Sequence, residues 1–188
     1  MHSNPSLPAT SHAGRGAYAP IARALHWGLA ILIVGMTGLG WYMTSIENDP
    51  AAGWFFRLHK SVGLLIVGLV LLRLVWRLGH SPAPLPATVP AWQLAAARMG
   101  HGLLYAAMIA MPLSGMIGAM LGKRELLFFG VPLPRLFAIN HDLSEIFFSV
   151  HSVTTWVLVA LVSVHALAAL KHLAVDKDGV FQRMWFLN

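Results

Sequence analysis

The chain contains no cysteine. Disulfides, thiolate metal sites, iron–sulfur clusters and covalent haem attachment through a CxxCH motif are therefore excluded. Charge is scarce as well. Only 11% of the 188 residues are Asp, Glu, Lys or Arg, where a soluble domain carries about 25%. Acidic residues are the rarer kind, seven against thirteen basic ones. Apolar residues fill the difference: 57% of the chain is hydrophobic and the mean hydropathy is +0.66. A chain of this composition sits in a bilayer. Its formal charge of +6 does not point to nucleic acid, because the basic residues lie between apolar runs, where they act as topology signals.

Residues 1–19 are polar and rich in Ser, Pro and Gly. They hold no apolar core ahead of a cleavage site and read as a disordered tail, not a signal peptide. His2 and His12 lie in it with nothing to fix their positions. Four apolar runs follow, each long enough to cross about 30 Å of hydrocarbon. The first opens at Pro20 and reaches about Met43. The second runs from about Trp54 to Leu78, and the third from about Leu94 to Leu121 with Pro112 as an expected kink. The fourth is Ile146–Leu173, otherwise nearly free of ionisable groups but carrying three histidines. The Pro-rich linker SPAPLPATVP separates the second and third runs and cannot be helical throughout. The loop from Gly122 to about Asp142 contains an amphipathic LLFFGVPLPRLF, expected to lie along the interface. The fold class is all-α: an integral membrane four-helix bundle over residues 20–175, closed by a tail at 176–188.

Four crossings place both termini on one side. That side, with the second linker, collects eight basic and two acidic residues, and the other collects five of each. The positive-inside rule makes the termini cytoplasmic.

His151, His165 and His172 are fourteen and seven residues apart, which puts them on one helix face within roughly 60° of each other. His151 and His165 are about 21 Å apart along the axis, too far to share one ion. Depth pairs the remaining histidines with them. His26, near the start of the first helix, lies at the depth of His165. His59, near the start of the second, lies at the depth of His151. Two facing imidazoles can take both axial positions of a haem iron, and a four-helix bundle holds such ligands pointing inward. The plainer alternative is that each histidine satisfies itself against a neighbouring backbone or hydroxyl group. Four intramembrane histidines pairing by depth count against it, because such groups are expensive in a bilayer. Zinc wants about four ligands at one point, whereas these divide into twos at opposite ends. A proton relay needs titratable groups between the ends, where the chain is apolar.

RALHW in the first helix, LHKSVG and LLRLVWR in the second, GHGLLY in the third and SVHALAALKHLAVDKD in the fourth resemble the bacterial cytochrome b561 family. The likeness covers about residues 18–184. It implies a di-haem four-helix protein of the inner membrane, similar to the cytochrome b subunits of nickel–iron hydrogenases. It implies two haem b per chain with His26, His59, His151 and His165 as axial ligands, the same pairing that depth gives. It also implies a quinone, ubiquinone by expectation, near the cytoplasmic end close to His172. His172 has a second reading as a simple interface anchor. His101, at the start of the third helix, has three: a ligand in place of His26, a hydrogen-bonding partner for a haem propionate or quinone, or a satisfied interfacial histidine. Arg73 snorkels to the headgroups or pairs with a propionate. Lys60, beside His59, does the same for the outer haem or attracts an anion. Trp27, Trp41, Trp54 and Trp156 read as belt or packing residues.

The first functional expectation is transmembrane electron transfer, from a donor at the outer, periplasmic side to quinone at the cytoplasmic side. Some members of the resembled family are similar to superoxide oxidases. Superoxide is then the candidate donor and the activity a superoxide:ubiquinone oxidoreductase, with Lys60, Arg57, Lys123 and Arg124 as an attracting patch. The second expectation is a membrane anchor and relay for a separate periplasmic redox protein. A third, a transporter or packing protein without redox chemistry, lacks the inverted repeats or matched broken helices it would need.

Overall fold

The computed structural model describes residues 17–80 and 89–186. Most of the expected N-terminal tail, with His2 and His12, and most of the Pro-rich linker lie outside the described residues. Four long helices make up most of the described residues: α1 Pro20–Ser45, α2 Ala52–Gly79, α3 Ala91–Leu121 and α4 His141–Lys171. All four are long and apolar enough to cross a membrane. At 1.5 Å per residue the shortest spans about 39 Å, more than the hydrocarbon core requires.

Local chemistry sets the boundaries. Pro20 occupies the first turn of α1, where its missing N–H costs nothing. The side chain of Asn140 caps α4 by accepting from the Leu143 amide at 3.0 Å, and Asp142 adds a negative charge to the first turn, as the helix dipole favours. Three carbonyls at the end of α3 would be left without donors, and Arg135 takes them all. Its guanidinium donates to Met120, Gly122 and Lys123 at 2.9, 2.6 and 3.2 Å. Pro112 is buried within α3, and the helix continues through it.

The LLFFGVPLPRLF stretch differs from the expected interfacial segment. It folds as a two-stranded antiparallel hairpin, β1 Leu127–Phe128 with β2 Val131–Pro132. Phe129 and Gly130 turn it with positive φ at both positions, 47° and 91°, the two-residue geometry that matches strand twist. Ser61 of α2 clips it down. Its hydroxyl accepts from the Phe129 amide at 3.0 Å and faces the Leu127 carbonyl at 3.2 Å.

Packing runs in chain order, α1 on α2, α2 on α3 and α3 on α4. One core cluster joins Leu29 and Met36 of α1 to Ile66 and Val70 of α2. Another joins Ile33 of α1 to Leu104 and Ala107 of α3 and Leu158 of α4. The α3–α4 seam is the closest, and Ser114, Gly118 and Gly122 explain it. These small residues recur every four positions, the spacing that lets membrane helices approach. A Cβ on Gly118 would stand 3.2 Å from the Phe148 ring, and the Ser144 hydroxyl crosses the seam to the Gly118 carbonyl at 2.8 Å. By contrast, α4 has little direct packing with α1 or α2. The outer faces carry Ile31, Val34, Leu72, Val75, Val153, Trp156, Val164 and Leu167 in the open, an apolar surface that only lipid or another apolar partner covers.

Beyond α4 the backbone widens into one π-helical turn, His172–Asp176. It reverses at Lys177 and Gly179, both with positive φ. A short 3-10 helix, Phe181–Met184, then returns against α1. The Trp27 indole donates to the Met184 carbonyl at 2.9 Å, and Arg23 donates to the Trp185 carbonyl at 2.8 Å. The expected tail is thus a strap across the terminal end of α1.

Candidate functional site

The four histidines paired by depth meet in space. At the loop end, His59 of α2 and His151 of α4 have ring centroids 6.2 Å apart. At the terminal end, His26 of α1 and His165 of α4 are 6.0 Å apart. Two imidazoles on opposite sides of one metal, each with a bond of about 2 Å, place their centroids roughly 6 Å apart. Both pairs span helices with little direct backbone packing, α2–α4 and α1–α4.

His101 of α3 is brought to the same place as His26. Its ring lies 5.6 Å from that of His165. This third histidine reaches His165 from α3, the helix in most extensive contact with α4. Zinc fits neither end. Among the described residues, the group of three His, Asp or Glu side chains whose donor atoms lie within 4.8 Å of one another is His172, Asp176 and Asp178, outside both pairs. In that group Lys171 already pairs with Asp176 at 2.5 Å.

The ring nitrogens differ in their partners. His151 Nδ1 lies 2.7 Å from the Met111 carbonyl. A carbonyl only accepts, so Nδ1 carries the hydrogen and Nε2 carries the free lone pair. His59 Nδ1 is buried with no hydrogen-bond partner. Gly40 of α1 gives that ring space, since a Cβ there would stand 3.4 Å from His59 Cε1. Tyr105, one turn beyond His101, has a buried hydroxyl that is also unpartnered. Sequence reasoning passed over Tyr105, and nothing in a sequence marks a hydroxyl as unpaired.

Cations flank both ends. Arg73 acts electrostatically on His26, His101 and His165, while one of its nitrogens donates to the Ala22 carbonyl at 3.0 Å. Arg57 and Arg124 act in the same way on Lys60, beside His59. Arg73 therefore gives the terminal-end pair positive charge for a haem carboxylate, and at the loop end Lys60 follows His59 in the chain. The donor set, the spacing, the unpaired His59 nitrogen and the flanking cations all fit a haem at each end.

His172 lies apart from the pairs, seven residues and about 10 Å beyond His165 on the same helix. It is half-buried, and its Nδ1 is 2.7 Å from Asp178 Oδ2 and 3.4 Å from Asp176 Oδ2. Partial burial works to raise the Asp178 pKa, but the Val180 amide and the His172 ring hydrogen-bond the carboxylate and hold it below its ordinary value. The tryptophans behave as packing and interface residues. Trp41 and Trp156 meet across α1 and α4 at 5.5 Å, both largely exposed, and Trp54 stands against Phe55.

The sequence pattern of the prokaryotic cytochrome b561 family matches residues 17–186. The chain is 34% identical over 172 residues to cytochrome b561 homolog 2 of Escherichia coli K12, covering 89% of this chain and 90% of that one. It is 27% identical over 167 residues to cytochrome b561 homolog 1 of the same organism, covering 85% and 92%. It is also similar, at 24% over 170 residues covering 89% and 94%, to a Yersinia pestis protein named probable superoxide oxidase CybB.

Proposed function

The chain belongs to the prokaryotic cytochrome b561 family, and we propose that it holds two haem b groups, one at each end of the bundle. Membership carries haem b binding and transmembrane electron transfer in a multi-pass inner-membrane protein. The observation that carries the finer reading is the two histidine pairs at 6.2 and 6.0 Å. His59 and His151 bind one iron, and His26 and His165 bind the other. Haem supplies reversible one-electron redox chemistry when bound. Two histidines at each haem would leave the iron no open position, so a substrate would exchange electrons without binding it.

The protein's own groups do the rest. Lys60, Arg57 and Arg124 draw an anion to the loop end, periplasmic by the positive-inside rule, against the five acidic residues that share that side. Arg73 balances carboxylate charge at the terminal end. His172 is held by Asp178 through Nδ1, so its Nε2 is free to accept from a quinol hydroxyl, or to donate to a quinone oxygen once the ring is protonated. The donor this arrangement favours is superoxide, and the named Yersinia relative supports that choice. Two superoxide ions each give up one electron and leave as oxygen, while ubiquinone takes two electrons and two protons and becomes the quinol.

Rapid mixing of superoxide with the oxidised protein tests the donor. The account expects haem reduction whose rate falls as salt rises and falls several-fold in Lys60→Gln. No haem reduction would rule superoxide out.

A further inference from the structure

We infer that Gly115 and the Met111 carbonyl of α3 form a positioning device that fixes the His151 imidazole and lowers the reduction potential of the loop-end haem. The inference rests on His59 and His151 being the ligands of that haem.

Three observations at one spot carry it. The His151 Nδ1 hydrogen bond to the Met111 oxygen is short, 2.7 Å, and crosses from α4 to the α3 backbone. A Cβ built on Gly115 would stand 2.7 Å from that same Nδ1, 3.0 Å from Cε1 and 3.4 Å from Cγ. Real Cβ atoms do not come that close, so any side chain at 115 must push the ring off the carbonyl. Ser114 Oγ donates to the same Met111 oxygen at 2.7 Å. The acceptor is therefore shared between one fixed hydroxyl and the imidazole.

The device is peculiar to one ring of the four. Among the described residues, His59 has an unpaired Nδ1, and neither His26 nor His165 makes a backbone hydrogen bond. An imidazole that donates to a carbonyl is a more basic ligand, and its tautomer and orientation are fixed. A more basic ligand favours the oxidised metal and lowers its potential. A low potential at the end where electrons enter sends them inward. Glycine is required at 115 for room, not for backbone freedom, because the residue lies within α3.

The test is a potentiometric titration of the purified protein, followed by low-temperature EPR of the oxidised haems. Two haems per chain in the unaltered protein, one of them lost in His59→Ala, hold the underlying reading in place. Their absence overturns that reading and the inference with it. Given two haems, Gly115→Ala should raise one midpoint potential and shift one EPR signal, leaving the other centre unmoved. Gly68→Ala, a helical glycine whose added Cβ meets nothing within 4 Å, should leave both centres unchanged. Ser114→Ala, which frees the Met111 oxygen for His151 alone, should lower the same midpoint. If Gly115→Ala loses the loop-end haem outright, the Ser114→Ala shift decides. Unchanged midpoints in both variants overturn the inference while leaving the haem reading intact.

Discussion

His165 has two imidazole neighbours, and distance alone does not choose between them. The proposed ligand is His26, the one the family resemblance implies. His26 faces His165 from α1 across a seam with little direct packing, whereas His101 faces it from α3, the helix pressed hardest against α4. His26→Ala should therefore leave one haem per chain by pyridine haemochrome, and His101→Ala should retain two. The reverse result would move the ligand from α1 to α3. Outside the membrane, Asp178 ties the strap to the end of α4. Its folded pKa is depressed, so its contribution is complete above the unfolded value of about 3.9. It is lost as pH falls through the lower folded value. Proteolysis of the strap should accelerate below about pH 4 in the unaltered protein, while Asp178→Asn should show the faster cleavage already at neutral pH. A pH-independent cleavage rate would show that Asp178 does not hold the strap. The pairing of histidines was legible because spacing along a helix fixes depth. The anchoring of His151 was not, because it depends on which α3 carbonyl faces α4 and on a glycine whose emptiness has no sequence signature.

Helix limits were legible to within about five residues, since the apolar runs, Pro20 and Gly122 mark them in one dimension; the Asn140 cap that starts α4 at His141, ahead of the apolar run from Ile146, was not read. The hairpin was not. Its turn uses Phe129 with positive φ, a position where the usual Asn-Gly or Gly-Gly signal is missing, and its two short strands depend on Ser61 from a distant helix. Ser61 is buried at 3% exposure; its hydroxyl accepts from the Phe129 amide and shares its one hydrogen between the Arg57 carbonyl at 3.0 Å and the Leu127 carbonyl at 3.2 Å. Ser61→Ala leaves the Phe129 amide without that partner and should destabilise the protein by about 1–3 kcal/mol, read as a lower midpoint in thermal unfolding in detergent. An unchanged midpoint would mean the hairpin is held elsewhere. The small-residue repeat of α3 at Ser114, Gly118 and Gly122 was readable in principle, being a spacing alone. It explains why α3 and α4 form one tight pair.

At the scale of the whole molecule, the architecture follows from composition: few charges, four long apolar runs and no cysteine. The last absence makes orientation easy to measure, because a single introduced cysteine is the only thiol. Asp49→Cys, in the loop between α1 and α2, should react with a membrane-impermeant maleimide added to intact spheroplasts. Lys177→Cys should react only after lysis. The opposite pattern would invert the chain and exchange the donor and quinone sides without altering the histidine pairs. What composition could not foretell is the strap, because Trp27, Arg23 and the carbonyls of Met184 and Trp185 meet only once α4 has reversed. The central claim is one bis-histidine haem at each end of this bundle. Its most direct test is the reduced-minus-oxidised visible spectrum of the purified protein, with a pyridine haemochrome count per chain. Two b-type haems per chain are predicted. A single haem would contradict the account.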